Sequence, residues 1–214
     1  MPGENKDSKL GRAIERFDAE NAADPNRERF EGVEHPKELL YARRMSVWLE
    51  RLAPEAPEAL RLAARCQHIG RWTVPRNRFS PGRAGYLRWR STLARYHAGR
   101  AEAILREVGY DEPTITRVRS LLLKERLRHD PEVQLFEDVI CLVFLESYFA
   151  DFSRKHEESK ILDIVRKTWC KMTDRGHEAA LALELPPPAR SLLEKALGGG
   201  ARTPDGDSAQ TKEI

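Results

Sequence analysis

Apolar residues recur at helical spacing along almost the whole chain between residues 8 and 197. In the stretch SKLGRAIERF, Ile14 and Phe17 fall on one side of a helix. The stretch HPKELLYARRMSVWLERLAP repeats the pattern from Pro36, a residue suited to a first helical turn, to Pro54. We find no stretch in which apolar and polar residues alternate as in a half-buried strand. The pattern therefore predicts an all-α fold.

The remaining elements follow from the same spacing. The stretch PEALRLAARCQHI places Leu60, Ala63, Ala64 and Gln67 on one face of a helix, and a loop with two prolines and two glycines follows to about residue 82. Later helices are predicted at residues 83–108, 112–127, 130–156, 158–172 and 177–183, and after the prolines at 186–188.

One stretch is apolar almost all round, from Val139 to Phe149, and this indicates a central, buried helix. The prediction is a single helical domain over residues 8–197, with a flexible N-terminus at 1–7. The tail at 198–214, GGGARTPDGDSAQTKEI, is rich in Gly, Ser and Asp and is predicted to be disordered.

The distribution of charged residues along the chain is more informative than the net charge. The net charge is only +3, which does not by itself indicate nucleic-acid binding. Between Arg71 and Arg100, however, the chain has eight arginines and no Asp or Glu, whereas residues 130–163 are acidic. The arginine segment is therefore a candidate surface for an anionic ligand.

Other features exclude several protein classes. No apolar run is long enough for a membrane span, and the N-terminus lacks the apolar core of a signal peptide. The three cysteines, Cys66, Cys141 and Cys170, are far apart and form no C-x-x-C pair, so neither a disulfide framework nor a zinc clip is indicated. We expect a cytoplasmic protein that does not bind membranes.

The stretch AARCQHIGRWTVPRNRF carries the first candidate chemistry. Gln67 and His68 lie where the predicted helix ends, and His97 follows on the long helix after the loop. Asp138 lies on the apolar helix, four residues before Leu142. His68 and Asp138 are residue types that bind divalent metals well, and a metal-dependent hydrolase made of helices collects its ligands from several helices.

Residues 8–197 resemble the family of domain of unknown function 4202, on the segments PKELLYARRM, QHIGRW, RAGYLRWR and EDVICLVFLE. More distantly, LRLAARCQHIGR and DPEVQLFEDVICLVFLE resemble the metal-ligand helices of the His-Asp (HD) domain phosphohydrolases. That resemblance implies an HD-like helical bundle with additional C-terminal helices. It also implies a divalent metal such as Mn, Fe, Zn or Mg.

In register with the HD pattern, the ligand positions are altered. Tyr41 stands at the first histidine, Gln67 at the histidine of the doublet and His68 at its aspartate, whereas Asp138 matches in type. His68 and Asp138 are therefore the metal ligands that the resemblance implies, with His97 or Glu146 as a further contributor. A hydrolase of this kind would use His68 and Asp138 as ligands or as base and acid, and Gln67 and His97 to orient water or substrate.

Each of these residues also has a purely structural interpretation. His68 could interact with the dipole at a helix C-terminus, and Asp138 with a helix N-terminus. Tyr41 could be a core residue, and Gln67 could line a polar cavity because a buried amide needs hydrogen bonds. The sequence leaves these alternatives open.

The arginine segment gives the second candidate site. Guanidinium groups bind phosphate or carboxylate through paired hydrogen bonds, and neighbouring aromatic rings can stack on a base. The predicted substrate-binding residues are Arg71, Arg76, Arg83, Arg90, Trp72 and Tyr41. Alternatively, the arginines could pair with acids of residues 130–163.

Two functions remain open at this stage. One is a divergent HD-like hydrolase of a phosphorylated or nucleotide-like small molecule. The other is a non-catalytic module that binds an anionic metabolite or RNA through residues 71–100. A small anionic ligand is favoured over nucleic acid because the chain has no RNA-recognition or helix-turn-helix signature. An interaction scaffold is a third interpretation of the ionic helices.

Overall fold

The computed structural model describes residues 7–198 and confirms the all-α class. These residues fall into two compact units, one that ends at Phe136 and one that begins at Glu137. The first unit contains α1 (Lys9–Ala22), α2 (Lys37–Leu52), α3 (Glu58–Cys66), α4 (Gly82–Val108), α5 (Glu112–Leu123) and the start of α6 (Pro131–Ser147). The second contains the rest of α6, then α7 (Phe149–Ser153), α8 (Glu158–Trp169), α9 (Asp174–Leu181) and α10 (Pro187–Gly198).

Apart from residues 7 and 198, the predicted flexible N-terminus and disordered tail lie outside the described residues. Within the described part, no helix is both long and apolar enough to cross a membrane.

The structure also contains one small element that the apolar spacing did not reveal. A two-stranded antiparallel hairpin joins α1 to α2, with β1 (Arg27–Phe30) paired to β2 (Val33–Pro36). Its two-residue turn has positive φ at both Glu31 and Gly32, the geometry that matches the twist of a hairpin. The strands have only four residues each and carry mostly charged side chains, so they give almost no alternating signal.

The hairpin also corrects the predicted start of α2. Pro36 ends β2 and makes no side-chain cap, and the helix begins at Lys37. The buried carboxylate of Asp24 replaces the cap, because its Oδ2 accepts a hydrogen bond from the backbone N–H of Glu38 at 3.0 Å. Its Oδ1 accepts from Asn26, which orients the carboxylate. The cap thus comes from a residue 14 positions earlier in the chain.

The core of the first unit is built around α3. This helix packs against α1, α2 and α5, and its Leu60, Ala63 and Ala64 are fully buried as the spacing predicts. A paired hydrogen bond from the half-buried Arg65 guanidinium to Asp18 ties α3 to α1, with distances of 2.7 and 2.6 Å. The end of α3 is therefore held firmly in place.

The loop between α3 and α4 contains two short 3-10 turns, Arg71–Thr73 and Arg76–Arg78. Arg76 closes the second turn by donating to the carbonyl oxygens of Phe79 and Gly82, at 2.9 and 3.4 Å. Trp89 of α4 donates its indole N–H to the carbonyl of Val74 at 2.8 Å. The loop is thus fixed against α4, whose predicted length agrees with the structure.

In the second unit, α10 packs against α7 and α8. Most of the apolar residues of α6 are buried as predicted, and Asp138 is buried among them. The predicted single run from 130 to 156 is instead two helices, because α6 ends at Ser147 and α7 starts at Phe149.

Two glycines of α4 give opposite expectations for substitution by alanine. A methyl group at Gly85 would lie 1.8 Å from the carbonyl oxygen of Ser80, so the loop must move. At Gly99, the same methyl group meets no atom within 4 Å. We expect Gly85→Ala to lower the free energy of unfolding by about 1–3 kcal/mol and Gly99→Ala to raise it by up to about 1 kcal/mol, as measured by urea denaturation. Equal effects of the two substitutions would contradict this packing.

Candidate functional site

The backbone that carries His68 is held by two neighbouring helices of the first unit. Gly70 adopts a left-handed conformation with φ of 62°, which turns the chain sharply after α3. Its N–H donates to Asn21 Oδ1 of α1 at 3.3 Å, and the carbonyl of Ile69 accepts from His97 Nδ1 of α4 at 2.8 Å. The turn therefore places His68 and Arg71 in fixed positions.

The hydrogen bonds of His68 define its protonation state. Its Nε2 lies 3.2 Å from Nη1 of Arg71, and because a guanidinium only donates, Nε2 must accept. The imidazole is then neutral, with its proton on Nδ1, which lies 3.2 Å from Oε2 of Glu38. Glu38 is almost buried, and its Oε1 lies 3.7 Å from Nε of Arg71. The three side chains form one polar cluster.

Two aromatic side chains fix the plane of His68. Tyr41 stacks on the imidazole with a centroid distance of 4.0 Å and an interplanar angle of 13°. His97 lies on another side, with its ring centroid 5.8 Å away. His97 is buried, and its Nε2 has no hydrogen-bond partner among the described residues. The structure thus brings together three of the predicted site residues, Tyr41, His68 and His97.

Arg71 and Arg90 are the cations next to this cluster. The guanidinium of Arg71 lies over the ring of Trp89, 5.0 Å from its centroid. Arg90, one residue further on α4, is half-buried and forms no ion pair or hydrogen bond with any residue of 7–198. Each arginine is close enough to act electrostatically on the other. Glu38 is the carboxylate that contacts Arg71.

The electrostatics agree with the hydrogen bonds. Burial, reinforced by Arg71 and Arg90, lowers the pKa of His68 well below its ordinary value. Burial also raises the pKa of Glu38, although the positive charge of Arg71 acts in the opposite direction. For His97, burial and the neighbouring His68 lower the pKa to about 3. At neutral pH both imidazoles are therefore uncharged, and the charges of the site are guanidinium and carboxylate.

The other predicted residues of the arginine segment have different surroundings. Arg76 holds the loop through two carbonyl oxygens. Arg83 is exposed, Trp72 is half-buried in the first 3-10 turn and Gln67 is buried at the end of α3. Among the arginines of this segment, Arg71 pairs with Glu38 and Arg100 pairs with Glu20. The ligand-binding roles of Arg76, Arg83, Trp72 and Gln67 stay predictions.

Asp138 has a defined structural role in the second unit. Its Oδ1 accepts from the backbone N–H of Thr173 at 2.8 Å, and its Oδ2 accepts from the Thr173 hydroxyl at 2.6 Å. A methyl group at Gly176 would lie 2.4 Å from Oδ1, so the glycine allows the carboxylate to approach. Asp138 therefore anchors the start of α9, where Thr173 is the N-cap.

The donor atoms of the two predicted metal ligands do not fit a divalent cation in this arrangement. Both nitrogens of His68 and both oxygens of Asp138 are engaged, and the cation nearest Nε2 of His68 is a guanidinium. Within residues 7–198, no group of three or more His, Cys, Asp or Glu side chains is arranged to hold a metal ion. Metal binding stays a prediction that metal analysis can test.

A separate surface cleft of about 510 Å³ lies in the first unit. It is lined by Lys9, Glu58, Ala59, Tyr110, Asp111 and Thr114. The hydroxyl group of Tyr110 donates a hydrogen bond to Glu58, and the carboxylate of Asp111 accepts one from the backbone N–H of Thr114. Its two carboxylates against one lysine make it a poor site for an anion.

Glu38 was not among the site residues predicted from the sequence. A glutamate in the first turn of a helix is common and usually exposed, so nothing in KELLY distinguishes this one. A weak signal exists in the spacing, because Glu38 and Tyr41 are three residues apart and so share a helix face. Its burial depends on the hairpin and on Asp24, which have no sequence signal of their own.

Comparison with known proteins gives one match. The model of a family described as "Domain of unknown function (DUF4202)" matches residues 11–193. No curated protein and no solved structure matches the chain.

The lowered pKa of His97 predicts a pH dependence of stability. The unfolded chain takes up a proton near the ordinary histidine pKa of 6.5, whereas folded His97 stays neutral down to about 3. Acid therefore favours the unfolded state, and the stability present above 6.5 is lost as the pH falls toward 3. Glu38, whose pKa is raised, acts in the opposite direction because its folded form holds a proton more readily.

We expect His97 alone to reduce the free energy of unfolding by about 2 kcal/mol between roughly pH 7 and pH 5. In His97→Asn the amide nitrogen can still donate to Ile69, but the titrating group is gone. Urea denaturation at both pH values should therefore show a smaller loss in the variant than in the wild type. Identical losses would mean that His97 is not held neutral in the folded protein.

Proposed function

Since the chain belongs to the DUF4202 family, whose description assigns no activity, we propose from the site itself that the first unit binds a small phosphorylated molecule. The phosphate would lie between Arg71 and Arg90, beside His68. The observation that carries this proposal is that Arg71 lies over the ring of Trp89, the residue before Arg90 on α4, while Arg90 has no carboxylate partner among the described residues.

The first support is the way Arg71 is held. Trp89 supports its face, Nη1 donates to His68, and Nε lies toward Glu38. Its Nη2 makes no hydrogen bond with the described residues. A guanidinium fixed on one side with donors left on the other is arranged to bind an oxyanion without losing much conformational entropy.

The second support is the charge balance. The residues that lower the pKa of His68 through their charge are Arg71, Arg90, Lys124 and Lys37, all of them cations. The carboxylate that contacts His68 and Arg71 is that of Glu38. Like charges at close range are unfavourable in a partly buried site, so an anion of charge about −2 would relieve the repulsion.

A phosphate suits this site better than a polymer does. The side chain of His68 is 21% exposed and that of Arg71 is 27% exposed, so solvent reaches the cluster only over a small area. A terminal phosphate offers three oxygens to two guanidinium groups and needs only such an opening. RNA binding through the exposed arginines of α4 is the competing interpretation.

The proposal predicts that phosphate and small phosphate esters stabilise the protein in a thermal-shift assay at constant ionic strength. Arg90→Gln should weaken this binding roughly tenfold to a hundredfold, because a charge-assisted hydrogen bond contributes about 1.5–3 kcal/mol. The free Arg90→Gln protein should be at least as stable as the wild type, since repulsion between Arg90 and Arg71 is removed.

The matched control is Arg88→Gln, which removes the same charge from an exposed position of the same helix. It should leave phosphate binding unchanged. Equal weakening by both substitutions would indicate a diffuse effect of charge and contradict a site at Arg90. Retention of nucleic acid that falls steeply with salt, and depends on Arg88 as much as on Arg90, would favour RNA instead.

Metal-dependent hydrolysis, which the HD resemblance implies, is the second candidate. The site favours binding without a resident metal, because Arg71 donates to the nitrogen of His68 that a metal would need. We therefore expect purified protein to contain less than stoichiometric Mn, Fe or Zn by elemental analysis. A stoichiometric metal that is lost in both His68→Ala and Asp138→Ala would restore the hydrolase hypothesis.

A further inference from the structure

The chemistry of His68 goes beyond holding a ligand. Three properties make its Nε2 a candidate nucleophile: it carries the lone pair, it lies 3.2 Å from the guanidinium of Arg71 while the charge of Arg90 also acts on the ring, and the side chain of His68 is partly exposed. Histidine is among the side chains that form covalent intermediates when an adjacent group activates them. The role of His68 as a nucleophile rests on the proposed binding of phosphate at this site.

Glu38 supplies the activating contact. Its carboxylate accepts from Nδ1–H of His68, which fixes the tautomer and leaves the lone pair on Nε2. It would also stabilise the positive charge that the ring acquires when Nε2 forms a bond. Glu38 is itself 8% exposed and is oriented by Asp24 through its backbone N–H. Glu38 and His68 are therefore held in place before any ligand binds.

The ring plane is fixed as well. Tyr41 stacks on the imidazole at 4.0 Å, so the direction of the lone pair varies little. The group that faces this lone pair is Nη1 of Arg71 at 3.2 Å, a donor that can move its hydrogen bond to a phosphoryl oxygen. A phosphorus atom held by Arg71 and Arg90 would then lie next to Nε2.

We propose that His68 accepts a phosphoryl group on Nε2 from a small acyl phosphate bound by Arg71 and Arg90. The lone pair of Nε2 forms the N–P bond, and the P–O bond to the acyl oxygen breaks. The electron pair leaves with the acyl oxygen as a carboxylate, which needs no proton. The ring keeps its Nδ1 proton and becomes positively charged, balanced by Glu38.

His97 does not share these properties, so the proposed phosphoryl acceptor is His68. It is only 4% exposed, and its Nδ1 donates to a neutral backbone carbonyl rather than to a carboxylate. A phosphoryl group could not reach its Nε2, which is shielded from solvent, without movement of the surrounding helices.

The test uses the full-length protein and acetyl phosphate as the phosphodonor. We expect a mass increase of one phosphoryl group, labile to acid and stable to alkali, that peptide mapping places on His68. His68→Gln should abolish the modification, and Glu38→Gln should slow it roughly tenfold to a hundredfold because the charge-assisted hydrogen bond is lost. His129→Asn, an exposed histidine of the same unit, should be modified like the wild type.

Mapping on the wild-type protein keeps the test informative if His68→Gln fails to fold. Modification at other residues only, or none, would overturn the phosphoacceptor role. If phosphate still stabilises the protein through Arg90 in that case, the binding proposal stands and only the covalent step is wrong. Absence of both effects would overturn both proposals.

Discussion

The buried carboxylate of Glu38 is the constraint on which the arrangement of the first unit depends. A carboxylate removed from water must be balanced by a positive charge and by hydrogen-bond donors, or the protein loses several kcal/mol of stability. Here Nδ1–H of His68, Nε of Arg71 and the positive field of Lys37 provide that balance. The position of Glu38 thus determines the tautomer of His68 and the direction in which Arg71 can bind a ligand.

That position is set by parts of the fold that look unrelated to a site. The hairpin brings Asp24 against the first turn of α2, where it binds the backbone of Glu38. On the other side, the left-handed turn at Gly70 carries His68 and Arg71 past α1 and α4, which hold the turn through Asn21 and His97. A side chain at Gly70 would meet the Tyr96 hydroxyl at 2.8 Å, so this turn depends on glycine twice, for its φ and for its space.

The spacing of apolar residues predicted most of the helices but not these connections between them. The long helix α4 and the buried face of α3 follow from spacing alone, because burial of one face repeats every 3.6 residues. The hairpin and the Asp24 cap were missed since they depend on a tight turn and on a contact 14 residues apart. Of the site, His68, Arg71 and Arg90 could be proposed from residue type. Glu38 could not, because burial of a first-turn glutamate is decided by tertiary structure.

The cluster of Glu38, His68 and Arg71 places a guanidinium beside a histidine, where a metal-dependent hydrolase would need a metal ion. A divalent cation and a guanidinium both place positive charge beside a histidine, but they make opposite demands on its nitrogen. A metal takes the lone pair of the imidazole, so that nitrogen can no longer accept a hydrogen bond from a guanidinium. A guanidinium only donates to that lone pair and can exchange it for a phosphate oxygen. With Arg71 three residues after His68, one turn of chain places a guanidinium against Nε2 of the imidazole. In the proposed function, the histidine therefore keeps its lone pair for an anionic ligand rather than for a metal.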